Sequence, residues 1–297
     1  MEAKKPKIAL YPGCCLEGTG KSFPISLERI LEDLAIEYGP LIDWNCCGAT
    51  SAHALDHKLY LALNLRNLVL AEQQGYDEIL APCAECYHRL TRVVFELDQD
   101  ERLKQEITAE AELPYQGKIK VRNVLDFLVN VVGVERITRH VKKPLTGLKV
   151  ACYYGCLNTR VPWLEPFDSV EYPMAMDNIV KALGGETVDW SHKTECCGTS
   201  LFLCSEDTAA RLVAKILKDA AGCNADCITL SCPLCFNNLD TKQKNFRARF
   251  NIDRPLPVVY ITQLIGLAFG RNDSEIKMHH RFVPFSTTTL CRNCQAL

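Results

Sequence analysis

Short apolar runs punctuate the chain at residues 7–11, 78–81, 149–153 and 227–230. Runs of four or five such residues are too short for a helix and read as buried strands. Between them, 54–74 and 206–221 place apolar residues at helical spacing. Strand and helix therefore alternate, the pattern of an α/β fold with parallel sheets. Segment 121–141 reads as a further helix, ended by Lys142-Lys143-Pro144 because the residue before proline is pushed out of the helical region. A matching helix is expected at 259–269, and the charged stretch 98–112 reads as the solvated face of another.

The strands matter because they deliver cysteines. Tyr11-Pro12-Gly13-Cys14, Cys46-Cys47-Gly48 and Cys83-Ala84-Glu85-Cys86 recur in the same order as Tyr154-Gly155-Cys156, Cys196-Cys197-Gly198 and Cys232-Pro233-Leu234-Cys235. From Cys47 to Cys83 is 36 residues and from Cys197 to Cys232 is 35, and Asp43-Trp44 is echoed by Asp189-Trp190. Ordered recurrence at matched spacing marks an internal duplication. The expected architecture is two pseudo-symmetric α/β domains, residues 1–144 and 145–297, with Gly147 in the turn after the boundary. Each cysteine group falls at or after a strand's C-terminal end, where open α/β sheets place their sites, and the two sites are expected near the domain interface.

Composition narrows the chemistry. The 297 residues are 47% apolar, enough for a sizeable core, and a net charge of -2 with pI near 6.4 leaves no basic footprint for nucleic acid. No stretch approaches the roughly 18 apolar residues of a membrane span, and the apolar run after Lys4-Lys5-Pro6-Lys7 is too short for a signal peptide. A soluble, cytoplasmic protein is expected. Seventeen cysteines, an odd number, in a reducing compartment point to metal rather than disulfides.

A Cys-x-x-Cys alone serves zinc or a redox dithiol equally well. The adjacent pairs discriminate. Neighbouring side chains on an extended backbone point to opposite sides, so they fit poorly on one small tetrahedral ion and better on a multi-iron cluster. Five thiolates per repeat is one more than a structural zinc or a cubane takes, which suggests a shared or bridging thiolate. Gly48 and Gly198 would let the backbone approach the metal or take a positive φ.

Tyr-Pro-Gly-Cys at 11–14, Asp-Trp-Asn-Cys-Cys-Gly-Ala-Thr-Ser-Ala-His at 43–53, Tyr-Tyr-Gly-Cys at 153–156 and Cys-Cys-Gly-Thr-Ser-Leu at 196–201 resemble the cysteine-rich CCG domains of the heterodisulfide reductase B subunit. The wording at 43–48 is closer to bacterial relatives of that protein. The resemblance implies two noncubane [4Fe-4S] clusters that face each other and split a disulfide between them. It assigns Cys14, Cys46, Cys47, Cys83 and Cys86 to the first cluster, and Cys156, Cys196, Cys197, Cys232 and Cys235 to the second. It also implies a ferredoxin-like [4Fe-4S] partner subunit of the C type, a flavin-containing one of the A type, and a disulfide or thiol substrate that extends to a protein-bound sulfur carrier. No G-x-G-x-x-G after a strand and no Walker loop is present, so neither a nicotinamide cofactor nor ATP is indicated. Two other readings stand beside this one: an electron-relay subunit of a flavin-dependent lactate, glycolate or glycerol-phosphate dehydrogenase, and a zinc-stabilised interaction protein.

Other residues compete for roles. Cys15 and Cys152 adjoin the motifs, and Cys152 rivals Cys156, which the repeat favours. Cys204, Cys223 and Cys227 read as small buried apolar residues. Cys291 and Cys294 form a third Cys-x-x-Cys without a second pair, either an unliganded tail or a docking or redox element. His53, six residues after Cys47, is a candidate proton donor, with His192 behind it. Lys193 and Arg160 are candidates for holding an anion, against a plainer expectation of solvated surface charge.

Overall fold

The computed structural model describes residues 6–49, 52–252 and 254–285. It contains two all-parallel four-stranded sheets, one in each half. β1 (Ile8–Leu10), β2 (Tyr38–Pro40), β3 (Glu78–Leu80) and β4 (Lys120–Arg122) form the first, in the order 2-1-3-4. β5 (Lys149–Cys152), β6 (Glu186–Thr187), β7 (Cys227–Leu230) and β8 (Val258–Tyr260) repeat that order as 6-5-7-8. The internal duplication and the α/β class expected from the sequence are both present.

Strands β1, β3, β7 and β8 are buried at every residue, as parallel strands covered on both faces must be. From β1 the chain crosses outward to β2, then returns past β1 to β3. That reversal opens a crevice beyond the C-terminal ends of β1 and β3, and β5 and β7 repeat it.

Two expected helices begin differently from their periodicity. In 121–141, the first residues complete β4 and Asn123 then caps a short helix, its side chain accepting from Asp126 N at 2.9 Å. The helix widens into a π-helical stretch, Phe127–Val132, and breaks at Gly133, φ 84°, before Val134–Arg139. In 259–269, β8 occupies the start and the helix is Ile261–Ala268. At β8 an unbroken apolar run, Val258 to Ile261, joins strand to helix and periodicity does not divide it; at β4 the polar pair Arg122-Asn123 marks the junction, and Asn123 is the N-cap. The expected helix 54–74 is split by Asp56, whose carboxylate caps His57–Gln73 by accepting from Leu59 N at 3.0 Å. Glu206–Gly222 lies where expected, and Glu101–Glu110 turns its charged face to solvent with Ile107 buried.

One apolar cluster spans both halves, and a second lies in the first half with Val161 of the second against it. Helix Ser22–Asp33 sends Phe23, Leu27, Ile30 and Leu31 into an apolar cluster continuous with the second half. The Phe23 ring stacks on Tyr260 at 4.4 Å, and Tyr260 stacks on Phe236 at 4.6 Å. Ser26 and Thr262 share a buried hydroxyl hydrogen bond of 2.6 Å, and Arg271 grips both carboxylate oxygens of Asp33. In the other direction, Trp163 of the second half lies edge-on to His88 of the first at 4.5 Å and donates to Thr91 Oγ1 at 3.3 Å. Among the described residues no helix is long and apolar enough to cross a membrane.

Tyr260→Ala removes the middle ring of this stack and is expected to destabilise the whole chain by about 3–5 kcal/mol, the usual effect of deleting a buried aromatic ring. Because this cluster spans both halves, anaerobic urea unfolding should still show one transition at a lower midpoint. Two separated transitions would mean that each half holds its own core.

Candidate functional site

Each site is assembled from three strand ends. After β1 and β5 the backbone turns through Gly13 (φ 65°) and Gly155 (φ 68°) into Cys14 and Cys156. A Cβ on Gly13 would lie 3.2 Å from Cys86 Sγ, and one on Gly155 3.4 Å from Cys235 Sγ, so glycine is what lets the first turn press against the Cys-x-x-Cys. Cys83 and Cys232 stand at the N-caps of helices Ala84–Gln99 and Pro233–Phe236, with Cys86 and Cys235 one turn later on the same side.

The adjacent pairs are held by matching tyrosines. Tyr11 OH donates to Asn45 O at 2.7 Å and Tyr153 OH to Glu195 O at 2.6 Å, in each case the carbonyl just before Cys-Cys. Asn64 Nδ2 donates to Cys47 O at 3.0 Å, and Asn238 Nδ2 to Cys197 O at 2.8 Å. Gly48 and Gly198, at φ 70° and 76°, turn their N–H groups toward Cys46 Sγ (3.4 Å) and Cys196 Sγ (3.3 Å).

The thiols are crowded and unbonded. Cys47 Sγ is 3.4 Å from Cys86 Sγ, Cys197 Sγ is 3.5 Å from Cys235 Sγ, and every described cysteine is free. Crowding splits their acidities. Hydrogen bonds from Cys46 and Cys86 hold the Cys47 thiol well below its ordinary range, and Cys156 does the same for Cys196. Neighbouring Cys235 and Cys83 depress Cys232, so first-half Cys83 and second-half Cys232 meet across the interface. Cys46 and Cys86 are pushed up chiefly by Cys47, and Cys156 chiefly by Cys196. Protons are thus shared unevenly: Cys47, Cys196 and Cys232 are pushed toward thiolate, the form that binds metal, while their neighbours are pushed toward the neutral thiol.

Among the described residues no group of three or more His, Cys, Asp or Glu side chains is arranged to hold a single metal ion. The donor set is all sulfur, five thiols to a half, with glycine-lined close approaches. Soft thiolates in that number suit an iron–sulfur cluster. Cys14, Cys46 and Cys196 are exposed while Cys47, Cys83, Cys86, Cys197, Cys232 and Cys235 are buried, so each set is open on one side. A cleft lined by Cys156, Cys196, Cys197, Cys232 and Cys235 also takes Glu85 from the first half.

The competing residues sort clearly. Cys156 lies beside Cys196, whereas Cys152 is sealed in β5 near Asp177. Cys15 lies against Cys83, making a sixth thiol at the first set. Cys227 is buried and Cys223 half-buried, but Cys204 is exposed, contrary to its expected apolar role, because it sits in the turn before helix Glu206–Gly222 rather than on the helix. Cys291 and Cys294 lie outside the described residues.

Lys193 is also corrected. Instead of a solvated surface charge, it is buried, 3.0 Å from Asp177, with its ammonium 4.4 Å from the Tyr172 ring centroid. Asp177 in turn accepts from Tyr154 OH at 2.7 Å, and Lys193 O receives Tyr154 N and Gly155 N, so the pair anchors the turn that carries Cys156. Arg160 is exposed and bound to Thr194 Oγ1 at 2.9 Å. His192 Nδ1 is 2.7 Å from Asp219. His53 Nδ1 is buried without a partner among the described residues.

Sequence reasoning passed over Glu85, His88 and Arg89. Their only signal was spacing, since 85, 88 and 89 share the helix face that begins with the Cys-x-x-Cys. Burial chiefly pushes His88 down to about 4, so it stays neutral.

Such a chain is a doubled cysteine-rich α/β protein with two abutting thiolate sites. The CCG cysteine-rich domain model matches residues 8–91 and again 150–240. The chain belongs to this CCG family, in the duplicated form of the heterodisulfide reductase B subunit. It is 34% identical to the 8-methylmenaquinol:fumarate reductase membrane anchor subunit of Wolinella succinogenes, covering 93% of this chain and 97% of that protein. It is 31% identical to the B subunit of the ferredoxin/F(420)H(2)-dependent CoB-CoM heterodisulfide reductase of Methanosarcina acetivorans, over 91% of each. A hypothetical protein from Helicobacter pylori shares the fold alone, with TM-score 0.75, 13% identity, and coverage of 96% of this chain and 53% of that one.

Lys193→Met leaves Asp177 buried without its cation and is expected to cost about 3–5 kcal/mol, whereas adding Asp177→Leu should recover much of it. Urea midpoints of the single and double variants check this, and equal midpoints would remove the ion pair from its anchoring role.

Proposed function

We propose that this chain is the iron–sulfur catalytic subunit of a heterodisulfide reductase or a similar complex, cleaving or forming a disulfide with electrons exchanged through two noncubane [4Fe-4S] clusters. The observation that carries the reading is that the two five-thiol sets meet at Cys83 and Cys232, with Ala84 and Glu85 of the first half lining the cleft of the second, an arrangement that would offer one substrate two neighbouring redox sites. Family membership supports an oxidoreductase subunit that carries iron–sulfur clusters and works within a complex.

In this reading Cys14, Cys46, Cys47, Cys83 and Cys86 hold the first cluster, and Cys156, Cys196, Cys197, Cys232 and Cys235 the second. A bound cluster supplies single-electron transfer and an iron open to a thiolate. The protein's own work is positional. Tyr11 and Tyr153 fix the Cys-Cys turns, Gly13 and Gly155 bring the strand-end turns up to the Cys-x-x-Cys, and the N–H groups of Gly48 and Gly198 stabilise thiolate at Cys46 and Cys196. Two electrons and two protons convert one disulfide into two thiols. A ferredoxin-like subunit and a flavin-containing subunit would supply the electrons in the cytoplasm.

A second reading, an electron-relay subunit of an oxidoreductase that does not act on sulfur, is favoured by the 34% identity to the fumarate reductase subunit. The two separate on whether sulfur compounds reach the iron.

Anaerobically isolated protein is expected to contain about eight irons and matching acid-labile sulfide. Cys47→Ser and Cys197→Ser should each lose about half of both. Two zincs without sulfide would overturn the assignment. Added thiol should alter the EPR signal of the oxidised protein, and silence toward both thiols and disulfides would leave the relay reading in its place.

A further inference from the structure

Four of the buried polar atoms that lack a hydrogen-bond partner among the described residues lie together: Glu85 Oε2, His88 Nδ1, Arg89 Nε and His53 Nδ1. Three belong to one face of helix Ala84–Gln99 in the turns that flank Cys86, and the fourth to the short helix Ala52–Leu55 that follows Cys46-Cys47-Gly48. A buried polar atom left unpaired costs roughly 1–3 kcal/mol, so a group of them in one place marks a site made for a ligand.

The chemistry of the pair Arg89 and His53 is defined. Arginine only donates, so at 3.4 Å from Arg89 Nη2 the His53 Nε2 is the acceptor, and the imidazole proton is on Nδ1. Arg89 Nε and His53 Nδ1 are therefore two unpaired N–H donors, one of them on a permanent cation. Glu85 is the facing acid, at 3.7 Å from Arg89 Nη2, which is beyond hydrogen-bond range. It offsets the charge without occupying the donors. The guanidinium is further held 6.0 Å from the Tyr60 ring centroid, and its side chain is only 18% exposed.

The location joins this pair to the thiols. Arg89 acts electrostatically on Cys47 in the first set, while Glu85 is in reach of Cys47, Cys196 and Cys232 and lines the cleft of the second set. Among the described residues, Lys193 is engaged by Asp177 and Arg160 by Thr194 and Glu171.

We propose that Arg89 and His53 form an anion subsite beside the first thiol set, taking the carboxylate or other oxyanion group of a substrate thiol or disulfide whose sulfur lies in the cleft between the sets. The subsite deepens the functional reading above and rests on it for the sulfur end of the ligand, though not for the anionic end. It makes Arg89 a specificity-determining residue.

Isothermal titration calorimetry on the anaerobically isolated full chain tests it with three probes: 3-mercaptopropionate, uncharged 3-mercapto-1-propanol, and propionate, which has no sulfur. Wild type is expected to bind the mercapto acid at least about tenfold more tightly than the mercapto alcohol, the effect of one charge-assisted hydrogen-bonded pair. Arg89→Gln should bring that ratio to within about twofold while leaving alcohol binding unchanged, and Arg89→Lys should retain part of it. Iron content and far-UV circular dichroism verify folding, and Arg89→Lys carries the comparison if Arg89→Gln fails to fold. An acid-to-alcohol ratio unchanged by substitution, or no preference in wild type, overturns the subsite. If neither thiol binds but propionate binds wild type and not the variant, the subsite stands and the sulfur chemistry falls. Equal binding of both thiols gives the reverse.

Discussion

Sulfur held against sulfur at 3.4–3.5 Å without a bond is the constraint on which the rest of this structure depends. Unpaired thiols brought so close compete for protons and gain nothing by packing alone, so the surrounding backbone has to hold them. It does so with glycines at positive φ where a Cβ would strike sulfur, with tyrosine hydroxyls on the carbonyls before each Cys pair, and with asparagine amides on Cys47 O and Cys197 O. These groups restrain the backbone and leave the thiols free to act as ligands.

Parallel topology provides the place for this arrangement. Three strand ends per sheet converge on one crevice, so cysteines separated by more than seventy residues of chain come together without a long loop. Duplication then supplies the second site. The halves are not identical in how they hold it: Asn64 follows the Cys pair in sequence, whereas Asn238 follows the Cys-x-x-Cys, and the buried Lys193 and Asp177 support only the second turn.

The interface brings the two cysteine sets together. The stacked rings of Phe23, Tyr260 and Phe236 and the hydroxyl pair of Ser26 and Thr262 fix the halves so that Cys83 meets Cys232 and Glu85 enters the other half's cleft. A polar group of Glu85, His88, Arg89 and His53 lies at that junction, where an elongated ligand would touch both halves.

The sequence by itself determined the α/β class, the duplication and the cysteine sets, because strand-end cysteines at matched spacing are local features that survive without coordinates. Its errors fell where local pattern carries no information. The apolar run across β8 hid a strand-to-helix junction, since an unbroken run has no period, and at β4 a strand of three residues is too short to show one. Lys193 was read as surface because charge predicts exposure only when no partner is known, and its partner Asp177 comes from helix Ala175–Ala182, sixteen residues earlier in the chain. Only the tertiary structure decided that Cys156 rather than Cys152 faces Cys196, that Cys15 joins the first set, and that Arg89 keeps unpaired donors beside it. Each of these depends on which atoms meet across elements far apart in the chain, and the fold alone sets those meetings.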